Sequence, residues 1–121
     1  MAYILSITAG EDIAAGTPVK LSSTSVVGTA AGTDDAIGVC TATVASGEKA
    51  AVLVDGIGKC LVNGSGTAIA VGDELMPGDN LLVKAAGGAA NRVVARALQA
   101  TSGNGALIDI VFYSGFHNTL S

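Results

Sequence analysis

Ala50-Ala51-Val52-Leu53-Val54-Asp55-Gly56-Ile57-Gly58-Lys59-Cys60-Leu61-Val62, at the centre of the 121-residue chain, decides what kind of fold the sequence makes. Two short runs, Ala50 to Asp55 and Lys59 to Val62, are rich in the aliphatic and β-branched residues that suit a pleated surface. Between them stand Gly56 and Gly58, each of which would cost about 1 kcal/mol relative to Ala inside a helix. The stretch reads as two strands separated by a glycine-bearing turn.

Reading outward, the same alternation continues to both ends. Tyr3 to Thr8, Pro18 to Leu21, Val26-Val27, Ala36 to Thr43, Glu74 to Met76, Leu81 to Lys84, Arg92 to Leu98 and Ala106 to Tyr113 are further β-like runs set off by Gly, Pro, Asn or Asp. Asn104-Gly105, lying between Leu98 and Leu107, reads as a hairpin turn. The best helical window is Ala89 to Ala100, yet Val93-Val94 favours a strand there. About ten short strands at near-regular spacing predict an all-β domain, a compact barrel or sandwich, in preference to βαβ units.

The chain also echoes itself at an offset of 56 residues. Ile13-Ala14-Ala15-Gly16 returns as Ile69-Ala70-Val71-Gly72, and Ser46-Gly47 ahead of Ala50, Val52 and Val54 returns as Ser102-Gly103 ahead of Ala106, Ile108 and Ile110. No gap is needed between the matches. The expectation is one domain over residues 1–121 in which two similar β-units, about 10–54 and 66–110, share one core. Residues 1–5 and 114–121 are then terminal arms.

Half of the residues are hydrophobic and 13% are charged, against roughly a quarter charged in an ordinary soluble domain. Surface so poor in charge is expected either to be covered by other copies or a partner, or to be diluted by small Ala and Val. No charge-free window approaches the ~20 apolar residues of a membrane span, and Met1-Ala2-Tyr3-Ile4 has no basic flank of a signal peptide. The expectation is a soluble protein without a membrane role. Net charge is −4, and Lys20, Lys49, Lys59, Lys84, Arg92 and Arg96 are scattered, which argues against a groove that tracks nucleic-acid phosphates. Cys40 and Cys60 sit in apolar runs, where buried thiols are expected more than a disulfide.

Reactive side chains are few. His117 is the single histidine, close to the end of the chain, where a contact residue is expected more than a general base. Asp34-Asp35 and Asp73-Glu74 with nearby Asp79 offer carboxylates, but not at the D-x-[DN]-x-[DN]-G spacing of a calcium loop. Next to Gly and Pro they read as turn formers. Gly64-Ser65-Gly66 and Gly103-Asn104-Gly105 lack the Lys-Ser/Thr of a phosphate loop. No cofactor, metal or catalytic residue is expected. A small hydrolase using Asp73 and Glu74 is the weakest of the functional readings.

Several elements taken together resemble a known family. Gly10-x-x-Ile13-x-x-Gly16-x-Pro18-Val19, Ala36-Ile37-Gly38-Val39, Gly47 before Val52 and Val54, Gly56 before Cys60-Leu61-Val62, and Ile69-x-x-Gly72-Asp73-x-Leu75 are similar to the small capsid decoration, cement or head-stabilising proteins of tailed bacteriophages. That family is often carried under a recombinase label, which would require a nucleotide-binding loop absent here. The resemblance runs from about Ser6 to Val111 and stops before the tail, Ser114 to Ser121. It implies a non-enzymatic virion protein on the outer capsid surface, assembled in the host cytoplasm. Its partner would be the major capsid protein, and it would be a homo-oligomer, trimeric in preference to dimeric. Asp12-Ile13-Ala14-Ala15-Gly16-Thr17 also resembles the opening of β-clip-like sugar- or polymer-binding modules, the alternative function.

For intermolecular contact the terminal stretches stand out. Ala2, Tyr3, Ile4 and Leu5 could add a strand to a neighbour's sheet edge, and Phe112, Tyr113 and Phe116 gather three of the four aromatics beside His117. The competing expectation is that both termini finish the domain's own sheet.

Overall fold

The structure is a computed structural model and describes residues 3–32, 34–85 and 93–112. Among them are nine strands: β1 (Tyr3–Thr8), β2 (Pro18–Ser22), β3 (Ser25–Gly28), β4 (Ala36–Cys40), β5 (Lys49–Asn63), β6 (Glu74–Pro77), β7 (Leu82–Lys84), β8 (Ala95–Ala97) and β9 (Asn104–Phe112). The all-β expectation is met.

The two central runs are one strand. β5 is 15 residues long, and along it Ala50, Val52, Val54, Cys60 and Val62 are buried, as is Leu53 on the opposite parity. Strand side chains alternate with a period of two, but in the middle Gly56 has φ 118° and a Cβ on Gly58 would run into the Leu53 side chain, so the strand bends there. The glycines replace side chains where the strand passes from one half of the molecule to the other. They are not a turn.

β5 belongs to two rings of strands. Its first half is flanked by β1 and β4, β4 pairs β2, and β2 pairs β3, all antiparallel. The ends of that series are joined through one parallel bridge, Ala9 to Val26, with the Gly10 amide donating to the Val26 carbonyl at 2.8 Å. Its second half pairs β9 antiparallel and β7 in parallel, and β7, β6, β8 and β9 complete a closed five-strand barrel. Closure removes the free strand edges of that half.

The buried side chains form two clusters rather than one. Ala9, Ile13, Val19, Val26, Cys40, Ala50, Val52 and Val54 fill the first ring. The second cluster centres on Cys60, Val62, Leu75, Leu82, Ile108, Ile110 and Phe112 and reaches back to Ala36 and Val39 of β4. β5 contributes to both clusters, Ala50, Val52 and Val54 to the first and Cys60 and Val62 to the second. Packing is by Val, Leu, Ile and Ala, as the near absence of aromatics requires. At about 25 cal/mol for each Å² of apolar surface removed from water, these small side chains stabilise through number more than size.

The Ile-x-x-Gly segments adopt one conformation twice. Gly16 and Gly72 have φ of 90° and 91°, the left-handed region that glycine enters without strain. The Gly16 amide donates to the Cys40 carbonyl at 2.7 Å and the Cys40 amide to Thr17 at 2.9 Å; the Gly72 amide donates to Ala97 at 2.8 Å and Ala97 to Asp73 at 2.9 Å. The offset is 56 at the turn and 57 where β4 and β8 meet it, so the ungapped alignment slips by one residue there. Asn104-Gly105 is not a hairpin turn either. Both residues lie in β9, where Asn63 faces Asn104 and Val62 faces Ala106, a bulge at which Gly105 has φ 79°.

Candidate intermolecular interface

Five of the carboxylates hold turns through backbone amides. Asp12 accepts from the Ser46 amide at 2.9 Å, Glu11 from Gly28 at 2.9 Å, Glu48 from Ala45 at 2.8 Å and Asp73 from Ala70 at 2.8 Å. Asp34 accepts from the amides of Ala30 and Ala31 and lies 3.2 Å from the Lys20 ammonium. Partial burial pushes its carboxyl up, but those donors outweigh burial and hold it below the ordinary value. Glu74 sits 3.4 Å from Arg96, and Asp73 is 3.6 Å from Lys84. The Asp73, Glu74 and Asp79 group does not converge: among the described residues no three His, Cys, Asp or Glu side chains come together to hold a metal ion.

Cys40 and Cys60 are free, buried, and assigned to different clusters. Burial pushes the Cys60 thiol far above its usual range, so it is not a nucleophile in the folded protein. A cleft of about 370 Å³ between the two rings is lined by Glu11, Asp12, Ile13, Ala14, Thr17, Leu61 and Asn80. Glu11 and Asp12 in it are already bonded to backbone amides, leaving no activated group facing the space.

What remains is surface shape and apolar exposure. Tyr3 lies opposite Asp55 on β5, and Phe112 lies opposite Gly56. The terminal stretches singled out from the sequence therefore arrive at neighbouring positions on one strand. Ile4 is 49% exposed and Leu5 40%, and on β5 Ile57 is 66% exposed, a residue the sequence reading passed over. No sequence signal marked it, since Leu53, of the same parity on β5, is buried.

Phe112 is corrected as a contact residue. Its ring is fully buried in the second cluster, because in β9 it shares the inward phase of Ile108 and Ile110. Tyr3, Ile4 and Leu5 do not form a free arm: they are the first half of β1, hydrogen-bonded to β5 of their own chain. Ala2, Tyr113, Phe116 and His117, with the rest of the 114–121 arm, lie outside the described residues. Further apolar exposure occurs at Leu21, Val71, Leu98 and Leu107.

The chain is 19% identical to the head fiber gp8.5 N base of bacteriophage phi29, whose crystal structure superposes with a TM-score of 0.69 over 98% of this chain and 99% of that one. At that identity the likeness is one of fold. No curated protein sequence matches the chain. The phage cement protein profile matches residues 2–112, nearly the whole length, and the chain therefore belongs to the phage cement protein family, structural proteins of the phage capsid.

Proposed function

We propose that this protein sits on the outer surface of a phage capsid and stabilises the shell by bridging major capsid subunits, acting as a homo-oligomer, a trimer in preference to a dimer. The family match over residues 2–112 carries the reading. The fold likeness to a head fiber base is in keeping with it. So is the surface of the molecule, which exposes Ile4, Leu5 and Ile57. Ala2, Tyr3, Ile4, Leu5, Tyr113, Phe116 and His117 are the proposed contact residues.

The mechanism is mass action. A protein that binds the assembled shell and not its dissociated subunits stabilises assembly by RT ln(1 + [L]/Kd), about 2.7 kcal/mol per site when its free concentration is 100 times Kd. No group with a perturbed titration facing a substrate is needed for that.

The test is to add the purified protein to heads that lack it, then record occupancy by cryo-electron microscopy and rupture temperature by light scattering. Density on the outer shell together with a raised rupture temperature is the expected result. Absence of shell density at saturating protein would overturn the proposal. Deleting Met1-Ala2 and, separately, Ser114 to Ser121 assigns the contacts, whereas a deletion through Leu5 would remove half of β1 and report on folding.

A further inference from the structure

The two Ile-x-x-Gly turns are alike in backbone but not in what covers them. Over Gly16 the second barrel closes tightly. The Leu61 amide donates to the Gly16 carbonyl at 2.8 Å, and a Cβ placed on Gly16 would lie 2.7 Å from Leu107 Cδ1 and 3.3 Å from Leu61 Cγ. Leu61 and Leu107 are a directly facing pair on the β5–β9 ribbon. Over Gly72 there is open space: a Cβ there meets no described atom within 4 Å. Its carbonyl is capped by Arg96 Nη1 at 2.9 Å, and beside it Val71 is 66% and Leu98 40% exposed.

The same ribbon carries a second apolar pair in the same phase. Ile57 faces Val111, Lys59 faces Asp109 and Leu61 faces Leu107, so the three pairs point to one side of the ribbon. The Leu pair is used within the chain, and the Lys59–Asp109 ion pair, 2.7 Å, separates it from the Ile57–Val111 pair. Ile57 is left 66% exposed.

We infer that the Gly72 turn, flanked by Val71 and Leu98, receives the Ile57–Val111 pair of a second copy of this chain, repeating between molecules the joint that the Gly16 turn makes with Leu61–Leu107 inside one. The internal joint shows which kind of surface fits this turn, and the chain displays one matching unfilled pair. Arg96, on a long flexible side chain, holds the Gly72 carbonyl until the second copy arrives. The contact is head-to-tail, each copy offering a turn on one side and a pair on another; such contacts close into rings when the rotation between copies closes and run on as filaments when it does not. This inference rests on the homo-oligomer reading above and deepens it by naming the surface.

Two variants, Ile57→Asp and Val71→Asp, each spoil one half of the joint and leave the other intact. Light scattering coupled to size exclusion on the full chain should give the oligomer mass for the wild type and for Leu21→Asp, an equally exposed control on β2. Each single variant should run as a monomer with an unchanged far-UV spectrum. An equimolar mixture of the two should recover a one-to-one dimer, because one sound turn and one sound pair remain. A monomeric wild type, single variants that keep the wild-type mass, or a mixture that stays monomeric would overturn the inference. Shell binding is read separately on empty heads. Occupancy by a protein that fails the mass test refutes the joint and leaves the capsid role, whereas a sound oligomer that ignores heads refutes the capsid role alone.

Discussion

The Leu61 amide donates to the Gly16 carbonyl across 2.8 Å, a main-chain bond from the second barrel to the first. Because Gly16 and Gly72 share the same φ, they make a matched pair for measuring what that joint contributes. On the Ile57→Asp background, where no second copy covers the turn, alanine at Gly72 meets no described atom within 4 Å and incurs the backbone strain of a left-handed residue, about 1–2 kcal/mol. Alanine at Gly16 incurs the same strain and also collides with Leu107 and Leu61, adding about 1–3 kcal/mol of overpacking. Urea midpoints at constant m-value report both. Equal losses at the two sites would show that the joint is loose.

Phe112 is the bulkiest fully buried side chain, at the end of β9. Phe112→Ala is expected to cost about 3–5 kcal/mol, the range for deleting a buried ring. A loss below about 1 kcal/mol, the scale of ordinary surface changes, would contradict its core position. Phe112→Leu should recover most of the stability, since it returns apolar volume.

Gly38 shows close approach of a different kind. A Cβ there would run into the Leu53 carbonyl and lie 2.6 Å from Val52 Cγ1, both on β5. Gly38→Ala must therefore push β4 away from β5, and a loss of about 1–3 kcal/mol is expected. Gly66→Ala, with nothing within 4 Å, should stay within about 0.5 kcal/mol of wild type.

The Asp34 carboxyl is held below its ordinary pKa, so its protonation in the folded protein occurs at a lower pH than in the unfolded chain. Its contribution is fully present above the unfolded value, near 3.8, and is lost as pH falls through the folded one. Carbon-detected NMR should place the Asp34 midpoint below that of an unstructured aspartate. Asp34→Asn should be less stable than wild type at pH 6, with the difference shrinking below pH 4. A midpoint at or above 3.8 would contradict the Ala30 and Ala31 clasp.

Thiol chemistry offers a probe of opening. Cys40 and Cys60 are both fully buried, and the raised pKa of Cys60 leaves it almost entirely un-ionised at pH 8. An aromatic disulfide reagent at pH 8 should label neither in native protein and both in urea. Rapid labelling of Cys60 without denaturant would show that the second barrel opens locally.

The β-class was legible because apolar runs are short and glycine recurs, and the strand positions were legible from the same alternation. The continuity of β5 was not legible: Gly56 and Gly58 between two apolar runs read as a turn, and only the pairing of one half with β1 and β4 and of the other with β9 makes it one strand. Asn104-Gly105 misled because a bulge and a tight turn both require positive φ at glycine, and only pairing across strands separates them. Phe112 misled because clustered aromatics mark cores as readily as interfaces. Ile57, Val71 and Leu98 could not be graded as exposed from sequence, since exposure there depends on which turn the second barrel covers.

β5 is one covalent strand with a barrel built on each half. A load that pulls the barrels apart runs along its backbone, while the Gly16–Leu61 bond and the side chains around it guard only against bending. Stretching such a molecule end over end would require unzipping β5 from β1 or β9 rather than separating two domains. If the protein bridges shell subunits as proposed above, a load on it falls on strand ladders pulled together and not on a linker.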